Sequence, residues 1–270
     1  MCKYYWKKKI KNVFYAFEDP DIRTFKKAKK ILNRKRIKCK LIPIKKYKNF
    51  YNSYFINKKF LVPFVTAKIA FSKDYFTINK KDKWITNETS RNKVHLLRNN
   101  HDSILSTSKS INSDNSLLNC RIYGLNNNRP DLFIVDLKLK LKKNLNLNKY
   151  LNRRKTFLIT SPKNVSKTLV YKKLGFKIIF IDKLEDKNDF KSLYKKIYKM
   201  GYTRMLIETG LTFLNNLIKI NMINELYIFK SDKKIGKSGK NNKTPNYIKN
   251  IRSKLLKFNL NGDNLFKKEF

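Results

Sequence analysis

The chain has 270 residues, enough for one large or two modest domains with a real hydrophobic core. Lys and Arg total 64 against 19 Asp and Glu, a formal net charge of +45. The basic residues are spread over the whole chain together with Asn, Ile, Phe and Tyr, so the charge reads mainly as composition drift toward A/T-rich codons. Such a field favours an anionic ligand, whereas a nucleic-acid role ranks below it.

Residues 10–17 alternate and then turn apolar, as a strand does. Glu18-Asp19-Pro20-Asp21 is a turn, with Asp21 a candidate N-cap for a helix over 22–36, and 39–44 is a second short strand. This strand–helix–strand unit is too small to be a domain alone. A larger region begins near Val62. Residues 64–71 form a strand, and Thr86 and Asn87 can cap a helix that runs to about Arg98, with Glu88 in its first turn. Further strands are expected at 103–108, 132–136, 156–160, 177–182, 205–207 and 225–229, with helices at 164–174, 189–200 and after Gly210. Asn261-Gly262 between two strand-like halves predicts a terminal hairpin. Alternating strands and helices followed by late strands imply an α/β fold with a mostly parallel sheet and an antiparallel edge.

The cysteines Cys2, Cys39 and Cys120 are odd in number and widely spaced, which suits a reducing compartment. No apolar run is long enough to span a membrane, and the basic N-terminus lacks the apolar core of a signal peptide. A soluble cytoplasmic protein with no membrane partner is expected. His95, in a helical stretch, and His101, in a polar loop, follow no metal pattern, and no metal site is expected.

Glu208 follows the apolar run Met205-Leu206-Ile207 and precedes Thr209-Gly210-Leu211. A carboxylate at a buried strand end is costly unless something uses it. Ligands of open α/β sheets bind beyond such strand ends, where helix N-termini offer free N–H groups. One glycine is a weak signal by itself, and a strand that simply ends in a capped helix explains the stretch as well. Asp74 also falls just past a strand end, where an Asp usually serves only the turn. Trp84 precedes a helix cap and reads first as core, although it could stack on a flat ring.

Taken in order, a set of motifs resembles the riboflavin-biosynthesis reductases, the reductase half of the bifunctional pyrimidine deaminase/reductase. They are Ser72-Lys73-Asp74-Tyr75, Asp82-Lys83-Trp84-Ile85-Thr86, Leu97-Arg98 and the segment from Asp114 to Arg121. They continue as Val135-Asp136, Ile207-Glu208-Thr209-Gly210, Ile223-Asn224-Glu225-Leu226 and Ile235-Gly236-Lys237. The match covers roughly 62–240, and a reductase domain over 62–270 is expected. The resemblance implies a dihydrofolate-reductase-like α/β/α sandwich with a C-terminal antiparallel hairpin. It implies NADPH-dependent reduction of 5-amino-6-(5-phosphoribosylamino)uracil to the ribityl compound.

By the same resemblance, Ala70, Trp84, Ser110, Asp114 and the turn Gly210, Leu211, Thr212, Phe213, Leu214, Asn215 and Asn216 face NADPH. Asp82, Arg98, Leu118, Arg121 and Glu208 face the phosphorylated pyrimidine substrate, and Glu208 or Asp74 assists proton movement. A homodimer is expected. Residues 1–56 resemble the last strand–helix–strand of the family's cytidine-deaminase-like domain. The chain has neither His-x-Glu nor a Pro-Cys pair, so no deaminase activity is expected, and a separate polypeptide is a candidate source of it. Three departures stand out: Tyr75 replaces a glycine, Asp82 a serine, and Asn115-Ser116 an Asp-Pro. Two other readings are a non-catalytic remnant and a basic nucleic-acid-binding protein.

Overall fold

The computed structural model describes residues 4, 7–44, 51–125, 130–240 and 256–270, and Cys2 lies outside them. The chain divides into two compact units, one of residues 1–64 with 197–203, the other of 65–196 with 204–270.

In the first unit, β1 (Asn12–Tyr15) and β2 (Lys38–Leu41) pair in parallel around α1 (Lys27–Arg34). Asp21 does not cap α1. Its carboxylate accepts from the Arg23 amide and guanidinium and pairs with Lys58, holding a separate turn over 21–25. α1 starts later, at Lys27, after an N-cap residue, Lys26, that is left-handed and makes no side-chain cap bond. The Tyr- and Lys-rich stretch after β2 contains an unforeseen helix, α2 (Asn52–Phe60).

The second unit is built on a nine-stranded sheet of β3 (Phe64–Phe71), β5 (Ser103–Thr107), β6 (Asp131–Val135), β7 (Thr156–Thr160), β8 (Lys177–Phe180), β9 (Arg204–Glu208), β10 (Glu225–Lys230), β12 (Leu256–Leu260) and β13 (Asp263–Glu269). Its order is β12-β13-β10-β3-β9-β5-β6-β7-β8. β9, β5, β6, β7 and β8 run parallel to one another, and β10 runs parallel to β3. The hairpin β12–β13 closes the edge antiparallel to β10. Asn261 (φ 52) and Gly262 (φ 98) form its two-residue turn, in the paired positive-φ conformation that matches strand twist. A separate small ladder joins β4 (Ile78–Asn79) to β11 (Gly239–Lys240).

Crossovers toward β8 carry α3 (Glu88–Asn99), α4 (Ser108–Asp114) and α5 (Thr168–Leu174). Those running back carry α6 (Lys187–Lys199) and α7 (Leu211–Lys219). Right-handed crossovers place the two sets on opposite faces. Packing agrees: Val94, Leu97, Ile111 and Tyr171 share one apolar cluster with Ile104, Ile134, Leu158 and Leu206 of the strands. On the other face Phe190 of α6 meets Phe213 of α7 with ring centroids 5.7 Å apart. The expected α/β architecture, parallel sheet and terminal hairpin are all present.

α4 was not expected, because five of its seven residues in Ser-Lys-Ser-Ile-Asn-Ser-Asp are Ser, Asn or Asp, whose side chains compete with helical backbone bonds. Thr107 makes it possible, its hydroxyl capping the Ser110 amide at 3.3 Å. α5 is shorter than expected because Pro162–Asn164 form a separate 3-10 turn before it.

Candidate active site

The site lies where β9, β5 and β3 end, on the face covered by α3 and α4. Along β9, residues alternate between faces, so Glu208 stands on the same face as Leu206. Its carboxylate is 8% exposed and takes both prongs of Arg98, Nε to Oε1 at 2.6 Å and Nη2 to Oε2 at 2.8 Å. Its main-chain oxygen accepts from Ser106 Oγ at 2.7 Å. Burial pushes the Glu208 pKa up, but the Arg98 charge and hydrogen bonds outweigh it and hold the carboxyl below its ordinary value. Burial likewise opposes the Arg98 charge, and Glu208 prevails.

Arg98 Nη1 donates to Asn119 O at 3.1 Å, and Arg121 Nη1 donates to Asn119 Oδ1 at 2.9 Å. His95, one turn before Arg98, sets Nδ1 3.1 Å from both Asn119 O and the Arg121 amide. Burial and then the two guanidinium charges draw its pKa down to about 4, so the ring is neutral at pH 7. Arg121 itself is exposed, and burial plus the Arg98 charge push its pKa down. Two guanidinium groups therefore share Asn119, and Glu208 pairs with only one of them, which leaves a net positive field for an anion.

Sequence reasoning missed Lys68. It sits on β3 two residues before Ala70, so both point to this face. Lys68 is half-buried, and burial pushes its ammonium pKa down against the attraction of Glu208 and Asp114, with Arg98 adding repulsion. A lysine in a strand of apolar alternation was the available signal, masked by the abundance of Lys elsewhere.

Ser110 and Gly210 are brought together. The Gly210 amide donates to Ser110 Oγ at 3.0 Å, which ties the first turn of α4 to the N-cap of α7. Gly210 has an ordinary extended backbone, φ −68. The side chains of Leu211 and Leu214 are core, at 2% and 0% exposure, and only their backbone can face a ligand. Thr212 is exposed, and Phe213, Asn215 and Asn216 are half-buried. Ala70 packs half-buried against the apolar cluster. Asp114 ends α4 in the open, yet desolvation by the surrounding walls pushes its pKa up, with Ser113, Lys68 and Lys83 pulling the other way.

Asp82 and Trp84 line a cavity of about 690 Å³ together with Lys81, Arg91 and the loop 231–235. Asp82 Oδ1 accepts the Trp84 amide at 3.0 Å, and the exposed indole carries Arg91 at 4.8 Å and Lys83 at 5.1 Å from its ring. Glu208 and Arg98 do not line this cavity.

Leu118, expected to face the substrate, can do so only through its backbone. It is 6% exposed and belongs to the core cluster, while its backbone takes φ 51. Asp74 serves its loop: Ser72 Oγ donates to it at 2.6 Å, and the Ile235 and Gly236 amides donate at 3.1 and 2.8 Å. Burial opposes ionisation, but these donors draw its pKa down to about 2. Tyr75 adopts φ 66, the conformation a glycine would take freely. Lys230 steadies it, with Nζ 3.0 Å from the hydroxyl and 4.3 Å from the ring centroid. His101 is buried at 3% exposure, not in an open loop, with Nδ1 2.6 Å from Leu97 O at the end of α3.

The model of the RibD C-terminal domain matches residues 63–263. A riboflavin biosynthesis protein RibD of Buchnera aphidicola subsp. Baizongia pistaciae is 29% identical over 206 residues, covering 68% of this chain and 54% of that protein. The chain thus spans about half the length of that relative. A 5-amino-6-(5-phosphoribosylamino)uracil reductase of Buchnera aphidicola subsp. Acyrthosiphon pisum is 30% identical over 173 residues, 60% of this chain and 81% of that one. Among solved structures, Acinetobacter baumannii RibD superposes with TM-score 0.76 at 19% identity, covering 98% of this chain and 74% of that one. The Saccharomyces riboflavin biosynthesis reductase Rib7 gives TM-score 0.62 at 19% identity, over 83% of this chain and 99% of that one. These superpositions establish a shared fold.

Proposed function

The chain belongs to the RibD C-terminal domain family, and from that premise we propose that it reduces 5-amino-6-(5-phosphoribosylamino)uracil to its ribityl counterpart with NADPH. The observation that carries this reading is the Arg98–Glu208 fork at the end of β9, beside the N-terminus of α7. A buried ion pair is weak as a stabiliser, so its presence at a strand end fits a role in binding. Glu208, kept ionised by Arg98, is an acceptor for the hydroxyls of the sugar chain. Arg98 has three nitrogens engaged by Glu208 and Asn119. The exposed Arg121 is therefore the better phosphate ligand, and Arg98 holds Glu208 in place.

The residues present suit a phosphorylated dinucleotide. Helix geometry leaves the amides of Leu211, Thr212 and Phe213 without intrahelical acceptors, the arrangement that binds phosphate. A second cavity of about 310 Å³ joins Phe213 to Lys138 and Lys140. The basic field favours the extra phosphate of NADPH over NADH. When bound, a reduced nicotinamide supplies the hydride for C1′ of the opened ribose. Of the groups around the fork, Lys68 has its charged form weakened by burial and suits exchange of a proton with the substrate. Asp74, ionised and saturated by its loop, holds structure in this scheme.

The test is purified chain with NADPH and the authentic substrate. Loss of reduced-nicotinamide absorbance matched by ribityl product is expected, with NADH slower and no ammonia released. No oxidation of NADPH in the presence of substrate would overturn the reading.

A further inference from the structure

Arg154, just before β7, is a buried cation, 5% exposed, that forms none of the ion pairs found among the described residues. Its Nη1 donates to Leu118 O at 2.9 Å and to Pro130 O at 3.1 Å, and its Nη2 donates to Leu117 O. Its Nε has no hydrogen-bond partner. Burial draws its pKa down to about 10, only partly offset by the charge of Asp131. A buried guanidinium is expensive, and the carbonyls it gathers are its compensation.

Those carbonyls are not arbitrary. Consecutive carbonyls of an extended chain point opposite ways, and here the left-handed backbone of Leu118 (φ 51) lets two of them converge on one guanidinium. A residue with a side chain is strained in that conformation and holds it only when its surroundings enforce it. The next residue, Asn119, is fully buried and accepts from Arg98 through its main-chain oxygen and from Arg121 through its side chain. Pro130 marks the far end of the same segment, so Arg154 ties both ends together.

We propose that Arg154 is a positioning residue for the anion-binding arm of the site. It keeps Leu118 left-handed from beneath and thereby sets where Asn119, Arg98 and Arg121 stand, with no contact to ligand itself. The inference rests on the reading of Arg121 as a phosphate ligand.

The experiment compares wild type, Arg154→Lys and Arg154→Met by melting temperature, steady-state kinetics and titration with ribose 5-phosphate. A lysine keeps the charge but cannot fork across several carbonyls. Arg154→Lys should fold and raise KM for the phosphorylated substrate by about tenfold, with kcat changed less than about threefold. Arg154→Met should raise KM further, and NADPH affinity should be unchanged in both. A lowered melting temperature with unchanged KM in the folded fraction would make Arg154 purely structural and overturn the inference. If neither variant folds, hydrogen exchange on wild type decides: ribose 5-phosphate should slow the amides of 118–121, and no slowing there overturns the proposal. Should wild type fail to oxidise NADPH, the reductase reading falls, and the ribose 5-phosphate titration still judges Arg154 on its own.

Discussion

Arg98 and Glu208, 110 positions apart in sequence, meet as a two-pronged ion pair with bonds of 2.6 and 2.8 Å in a nearly dry pocket. Removing one partner strands a buried charge, which costs about 3–5 kcal/mol. Glu208→Leu and Arg98→Met should therefore each lower the melting temperature sharply. The double variant Arg98→Met/Glu208→Leu should recover most of that loss, because apolar replacement of both partners is often neutral or better. Turnover should stay lost in all three. Activity in the refolded double variant would show that the fork serves folding alone. Glu208→Gln falls between, since an amide keeps one acceptor for Arg98 but no charge.

Lys68→Met should abolish turnover while leaving the melting temperature equal or higher, because it replaces a desolvated ammonium by an apolar chain of similar length. Binding of NADPH at the α7 N-terminus should persist. Thermal melts, fluorescence titration with NADPH and turnover on the same preparations check it. Turnover within a few-fold of wild type would remove Lys68 from the chemistry.

What the sequence made legible followed local rules. The parallel strands are continuous apolar runs, and the hairpin at Asn261-Gly262 is written in two residues. Asn87 as the cap of α3 was also readable, its side chain accepting from the Ser90 amide at 2.9 Å. Glu208 stood out because a carboxylate ended a buried strand. What stayed hidden was set by distant partners. That Glu208 is neutralised by Arg98 depends on tertiary contact, as does the unpaired burial of Arg154. Lys68 vanished into a chain with 64 basic residues, where any one lysine looks solvated. Leu118 looked like a contact residue, and only the fold shows its side chain in the core and its backbone left-handed.

Asp74 offers a pH test. Its folded pKa, about 2, lies below its ordinary value of 3.8. A depressed carboxylate contributes stability that is full above the unfolded value and is lost as pH falls through the folded one. The wild type should thus lose stability between about pH 4 and 2 in part through this residue. Asp74→Asn should be less stable at neutral pH and show a shallower fall in that window, with turnover per folded molecule nearly unchanged. A large loss of kcat with an unaltered melting temperature would instead place Asp74 in the chemistry.

His101 acts over a higher window. Burial is the chief cause of its low folded pKa, about 4 against an ordinary 6.5, and the Leu97 carbonyl contact recovers only part. Between these values the unfolded chain binds the proton and the folded chain refuses it. Stability is then full above pH 6.5 and is lost as pH falls toward 4. For a shift of this size on a buried ring, the contribution is roughly 3 kcal/mol. His95, with a similar folded pKa, adds to the same window. Replacing His101 with asparagine keeps a donor for Leu97 O and removes the titration. Denaturant unfolding from pH 7.5 to 4 should show a steep decline for wild type and a clearly flatter one for His101→Asn, even though the variant starts lower because the smaller side chain leaves a void. Parallel curves for the two proteins would mean that the ring is protonated without unfolding the end of α3, and that another group controls the acid transition.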